Sequence, residues 1–233
     1  MTLGLCSPIL ARMGRPLRAA AGGVIYHAVN RANGRARIFA KDEDYQAFER
    51  ILAEAVERTG TRLLAYCLMP NHWHLLVWPQ KDGELSRFLG WLTLTHTQRY
   101  HAQRHTAGTG HLYQGRFKSF PVEDDPHYYT VARYVERNAL RAGLVERAED
   151  WRWGSLYRWL RGSEEEKGLL APWPCVRRPN WVAHVNAPLT PKELSAVRHC
   201  VQRGCPYGSD VWRDKTSARL GLESTLRPRG RPK

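Results

Sequence analysis

Asn71-His72-Trp73-His74 is the sharpest chemical feature of this sequence. On a β-strand side chains alternate, so His72 and His74 leave one face while Trp73 turns to the other. Two neutral imidazoles placed that way can share one metal ion. Such an ion keeps open positions, and Mg2+ or Mn2+ fills them with oxygen donors. Asn138 is a candidate for a third ligand. It stands four residues after Tyr134, which puts both on one face of a helix. One helix can thus offer a nucleophile and a ligand to the same ion. Spacing alone does not single out Tyr134. Tyr128 and Tyr129 are close rivals, and the apolar stripe of an amphipathic helix is an ordinary place for a tyrosine.

The surrounding pattern predicts the elements that hold these groups. Residues 22–30 (GGVIYHAVN) are β-branched and aromatic after a glycine pair and read as a first strand. Asn33-Gly34 marks a turn among Arg31, Arg35 and Arg37. From Asp42, residues Tyr45, Phe48, Ile51, Leu52 and Ala55 make one helical face that Gly60 ends. Residues 62–69 and 72–78 read as antiparallel strands about a Pro70-Asn71 turn. A long helix with Leu85, Phe88, Leu89 and Leu92 inward follows, broken by Gly108 and Gly110. Residues 115–122 read as a strand. The next helix starts at Asp125-Pro126, runs to Arg141 and stops at Gly143. Trp151, Trp153, Leu156, Tyr157 and Trp159 are expected to close the core. The result is an α+β arrangement, an antiparallel sheet flanked by helices.

The domain organisation expected is a catalytic domain over residues 13–161, with Met13 an alternative start. A linker or long loop spans 162–180, rich in proline and holding the triplet Glu164, Glu165 and Glu166. A helical extension spans 181–226, with helices over 191–203 and 209–220 in a helix-turn-helix-like spacing. A basic tail closes the chain over 227–233.

Charge names the partner class. Lys and Arg total 36 against 22 Asp and Glu, a formal net charge of +14 in 233 residues. Such a surplus attracts polyanions, and each phosphate it neutralises releases counterions. No apolar run is long enough to span a bilayer. Five scattered cysteines fit a reducing, cytoplasmic compartment better than a disulfide framework. Cys200 and Cys205 read as small apolar residues rather than half of a zinc site.

Three segments carry a resemblance. YCLMPNHWHLLVWP, residues 66–79, resembles the histidine-hydrophobic-histidine core of the single-tyrosine HUH transposases. RYVERNALRAGLV, residues 133–145, resembles their tyrosine helix, and GHLYQGRFKS, residues 110–119, the stretch that leads into it. With the late GCPYGSDVW and the closing RGRPK, most of residues 13–233 is similar to the REP-associated tyrosine transposase branch. Ala139 departs from the proline that relatives often carry, and alanine simply continues a helix.

The resemblance implies a ferredoxin- or RRM-like HUH fold with a small helical C-terminal extension. It implies that His72, His74 and Asn138 hold Mg2+ or Mn2+ and that Tyr134 attacks a scissile phosphate. A free phenol is protonated at neutral pH, so such a tyrosine needs help from the ion or a base. The product is a 5′-phosphotyrosine link and a 3′-hydroxyl, and reversal joins strands without ATP. The implied partner is single-stranded DNA bearing a REP-like hairpin, handled by a monomer or homodimer at the bacterial nucleoid.

Arg35, Arg37, Arg116 and Lys118 are candidates for phosphate contacts near predicted strand and loop ends. Arg15 in Gly-Arg-Pro near the start, and Arg229 and Arg231 in the tail, suit a narrow minor groove such as a hairpin stem offers. Two other readings compete: a hairpin-binding regulator without catalysis, and a metal nuclease that activates water instead of tyrosine.

Overall fold

The computed structural model describes residues 20–124 and 126–227. Four strands and two helices make its centre: β1 (Ile25–Arg31), α1 (Asp42–Thr59), β2 (Arg62–Met69), β3 (His72–Trp78), α2 (Glu84–Arg104) and β4 (Lys118–Val122). The sheet order is β2-β3-β1-β4, with every neighbouring pair antiparallel. That order on a β-α-β-β-α-β chain is the ferredoxin-like arrangement expected from the sequence.

The remaining helices are α3 (Pro126–Glu136), α4 (Asn138–Arg141), α5 (Ser155–Arg161), α6 (Glu164–Lys167) and α7 (Trp181–Asn186). They are followed by α8 (Pro191–Arg203), α9 (Asp210–Leu220) and α10 (Glu223–Leu226). None of the described helices is long and apolar enough to cross a membrane.

Strand alternation splits the core in two. Tyr26, Ala28, Leu68, Trp73, Leu75 and Val77 pack with Phe48 and Leu52 of α1 and Phe88 and Leu92 of α2. On the opposite face, Ile25, Cys67, Leu76 and Phe120 pack with Tyr128, Val131 and Val135 of α3, Trp181 of α7 and Val197 of α8. Burying large apolar side chains on both faces, at about 1.5 to 3 kcal/mol each, dominates the favourable side of the balance. The C-terminal helices therefore share a core with the sheet.

Several details depart from the sequence expectations. Strand β1 starts only at Ile25, because Gly23 turns with a φ of 73° and its N–H donates to the Pro79 carbonyl. Helix α2 stops before either glycine: His105 takes a left-handed φ of 52°, and its N–H turns back to the last turn. The tyrosine helix is not continuous to Arg141. It ends at Glu136 and resumes at Asn138. There the Asn138 side-chain amide donates to the Tyr134 carbonyl at 3.0 Å, a local bond that competes with the helical rail.

Trp159 does not close the core; it is 38% exposed, and Arg177 lies over its ring. Trp153 does, stacked on Tyr45 with centroids 4.9 Å apart. Residues 162–180 form a long loop holding α6, and it runs against the sheet. The Ala171 N–H donates to Leu63 O and Trp173 Nε1 to Leu64 O, both at 2.8 Å. These carbonyls sit where the β2-β3 register slips between Leu63 and Ala65, so the loop satisfies groups the ladder leaves open.

Candidate active site

Register places the histidines. Residues Cys67, His74, Val29 and Lys118 pair in one row across β2, β3, β1 and β4, and Met69, His72 and Arg31 pair two rows on. Thus His72 and His74 share a face, as alternation requires. Their ring centroids are 5.0 Å apart with the planes at 76°. Two imidazoles bound to one Mg2+ or Mn2+ at about 2.1 Å, with roughly 90–110° between them, have centroids roughly 4.6–5.3 Å apart. The pair fits an ion.

Hydrogen bonds to Nδ1 hold each ring. The His72 Nδ1 lies 2.6 Å from Asn71 Oδ1. An amide oxygen only accepts, so His72 carries its proton on Nδ1 and turns a lone pair outward at Nε2. Asn71 is oriented in turn by Arg35, whose carbonyl accepts from Asn71 Nδ2 at 3.3 Å. His74 Nδ1 lies 2.8 Å from Nε2 of His27, a fully buried residue of β1. Burial pushes the His27 pKa down to about 3. The His72 pKa is also pushed down to about 3, first by burial and then by Arg31 and Arg141. His74 is held well below its ordinary value, mainly by burial. All three rings are neutral at physiological pH, the form that ligates.

Helix α3 brings Tyr134 onto this face. Its ring lies edge-on to His74 with centroids 5.7 Å apart, and it lines the same groove as both histidines. Tyr128 is buried in the second-face core and Tyr129 donates its hydroxyl to Val176 O. Geometry thus separates Tyr134 from its rivals. The helix is pinned from outside by Arg133, whose Nη2 meets Glu193 Oε2 of α8 at 2.8 Å.

Asn138 is fully buried, and both ends of its amide are engaged: Nδ2 by the Tyr134 carbonyl and Oδ1 by Arg141 Nη2. A guanidinium thus engages the oxygen that a cation would use. Among the described residues, no cluster of three or more His, Cys, Asp or Glu side chains is poised to hold an ion. An ion held by His72 and His74 would therefore need amide, water or phosphate oxygens as its other donors among the described residues.

The groove in front of the site measures about 750 Å3. Its cationic lining is Arg31, Arg116, Lys118, Arg141 and Arg203. Of the residues expected to bind phosphate, Arg116 and Lys118 are there. Arg35 and Arg37 are not among the lining; they sit on the exposed loop before α1, where Arg37 Nε donates to Phe39 O. Arg15, Arg229 and Arg231 fall outside the described residues. Arg31, Arg141, Arg203 and His27 were not picked out from sequence. Signals existed for three of them. His27 and Arg31 are in phase on one strand, and Arg141 follows Tyr134 by two helical turns. Arg203, on α8, had none.

Residues 21–138 match the family model described as "Transposase IS200 like". A Haemophilus influenzae protein described as a REP-associated tyrosine transposase is 24% identical over 119 residues, covering 48% of this chain and 68% of the relative. Among solved structures, a REP-associated tyrosine transposase bound to a REP hairpin is 19% identical, with a TM-score of 0.47. That match covers 68% of this chain and 89% of the other. A Deinococcus radiodurans protein described as a transposase is also 19% identical, with a TM-score of 0.38, covering 53% of this chain and 96% of the other.

Proposed function

The chain belongs to the IS200-like transposase family, and on that premise we propose that it nicks and rejoins single-stranded DNA beside a REP-type hairpin, with Tyr134 as nucleophile. One observation carries the reading: a single chain brings Tyr134 within 5.7 Å of His74, ring to ring, in a groove lined by five cations. A buried tyrosine kept only for packing has no need of that setting.

The residues divide the work. Arg116, Lys118 and Arg203 hold the strand by its phosphates, as the cationic groove favours. Arg31 and Arg141 flank the histidines and neutralise charge at the scissile phosphate. His72 and His74 would hold Mg2+ or Mn2+, which when bound polarises that phosphate. Asn138 would offer its Oδ1 to the same ion if the Arg141 guanidinium, which now donates to that oxygen, turned to a DNA phosphate. The Tyr134 oxygen attacks phosphorus, its phenolic proton passing to solvent. The bond from phosphorus to the 3′-oxygen breaks, and that oxygen takes up a proton to become a 3′-hydroxyl. The strand's 5′-phosphate stays on Tyr134, so attack by another 3′-hydroxyl restores a phosphodiester without ATP. One chain brings the tyrosine and histidines together, so the site needs no residue from a second copy, and the protein acts as a monomer or homodimer at the bacterial nucleoid.

The test uses purified protein, Mg2+ or Mn2+, and an end-labelled single strand carrying a hairpin from the neighbourhood of its gene. A metal-dependent protein–DNA adduct on a denaturing gel, absent in Tyr134→Phe, is expected. Cleavage that persists in Tyr134→Phe would instead identify a water-using nuclease. Hairpin binding without cleavage in either metal would identify a regulator.

A further inference from the structure

Nothing in the proposed reaction uses His27, yet it is fully buried directly behind His74. It lies on β1, fully buried, between Phe120 at 4.8 Å and His74 at 5.0 Å, centroid to centroid. Its Nε2 is 2.8 Å from His74 Nδ1. Its own Nδ1 is buried and has no hydrogen-bond partner. A phenylalanine would pack there as well and leave no polar atom stranded, so packing does not account for a histidine.

We propose that His27 is the positioning residue of His74: it accepts the His74 Nδ1 proton and so turns the His74 Nε2 lone pair toward the ion. This rests on the metal reading given above. A neutral imidazole carries one N–H, and a nitrogen that ligates cannot also carry it. His74 can therefore offer Nε2 only with its proton on Nδ1, where His27 Nε2 is the atom within reach. His27 can accept there only with its own proton on Nδ1, which is the nitrogen without a partner. A ligating His74 thus requires the Nδ1 tautomer of both rings. For His72 the same office is filled by Asn71 Oδ1, which can only accept. The two histidines differ accordingly: His72 is fixed for ligation at all times, and His74 becomes so through His27. Partners of this kind on the far nitrogen of a ligating histidine orient the ring and raise its basicity.

The experiment measures Mn2+ affinity of the full chain by electron paramagnetic resonance, without DNA, in wild type, His27→Phe and His27→Gln. Gln places an oxygen close to where His27 has Nε2. The expected result is a loss of about 10- to 100-fold in His27→Phe, recovered to within a few-fold in His27→Gln, with both variants melting as wild type does. Equal affinity in wild type and His27→Phe overturns the inference and leaves the metal reading intact. Wild-type affinity that is absent, or unmoved by His72→Ala and His74→Ala, overturns the metal reading and this inference with it. Should His27→Phe not fold, nitrogen-15 spectra of wild type loaded with Mg2+ decide alone. A proton on Nδ1 of both His74 and His27 is expected, and a proton on Nε2 of His27 refutes the proposal.

Discussion

Arg141 lies over the face of Tyr134, its guanidinium carbon 4.8 Å from the ring centroid, and the same guanidinium donates to Asn138 Oδ1. One cation thus touches the proposed nucleophile and a proposed ligand while lining the groove where phosphate would enter. The planar fork of arginine makes this possible, since it can stack on a ring and donate in its own plane at once.

The first prediction follows from that geometry. Arg141→Ala should slow nicking by on the order of 10²-fold, the scale seen when one preorganised donor to a developing charge is removed. Hairpin affinity should change only a few-fold. Arg141→Lys should recover part of the rate, because an ammonium supplies charge without the fork. Single-turnover nicking rates beside binding isotherms separate the two effects, and wild-type rates in Arg141→Ala would remove Arg141 from the chemistry.

The groove lining makes a second prediction. Arg116→Ala and Lys118→Ala should each make the slope of log affinity against log salt shallower by about 0.7 to 0.9. Arg37→Ala should leave it unchanged, because Arg37 is not among the groove lining and is bonded to the Phe39 carbonyl. Fluorescence anisotropy of a labelled hairpin strand from 50 to 300 mM salt, roughly the range over which counterion release is read, measures both.

A third prediction concerns stability and pH. Trp73, which separates the two site histidines in sequence, donates from Nε1 to the Tyr113 hydroxyl at 2.9 Å. That hydroxyl lies 2.6 Å from His96 Nδ1 on α2 and donates to it when His96 is neutral. Burial, and then Arg104, hold the His96 pKa down at about 3 against 6.5 for an ordinary histidine. Between those values the unfolded chain binds the extra proton and the folded chain does not. This contribution is therefore complete above pH 6.5 and is lost as pH falls from 6.5 toward 3. Urea midpoints measured from pH 4 to 8 should fall on the acid side in wild type and fall less steeply in His96→Gln. Parallel curves would refute the role given to His96.

The sequence by itself determined the elements and one half of the site. Period-2 alternation is local, so it put His72 and His74 on one face and Trp73 on the other, and β2 and β3 were bounded at Met69 and His72 as the structure has them. The ferredoxin-like order came through the resemblance, because pairing between distant strands leaves no local pattern.

Tertiary structure decided what depends on partners far apart in the chain. The resemblance pointed to Tyr134, but a physical difference from Tyr128 and Tyr129 arose only when α3 packed on the sheet, since all three lie on the same amphipathic stretch. His27 met His74 only through the β1-β3 register, 47 residues apart. Arg203 reached the groove because α8 docks on α3 through Glu193 and Arg133. Asn138 lost its free oxygen to Arg141 through a bend that helical spacing does not foresee. In each case the deciding term is a non-local contact, whose energy is set by packing and register rather than by the residues on either side of it.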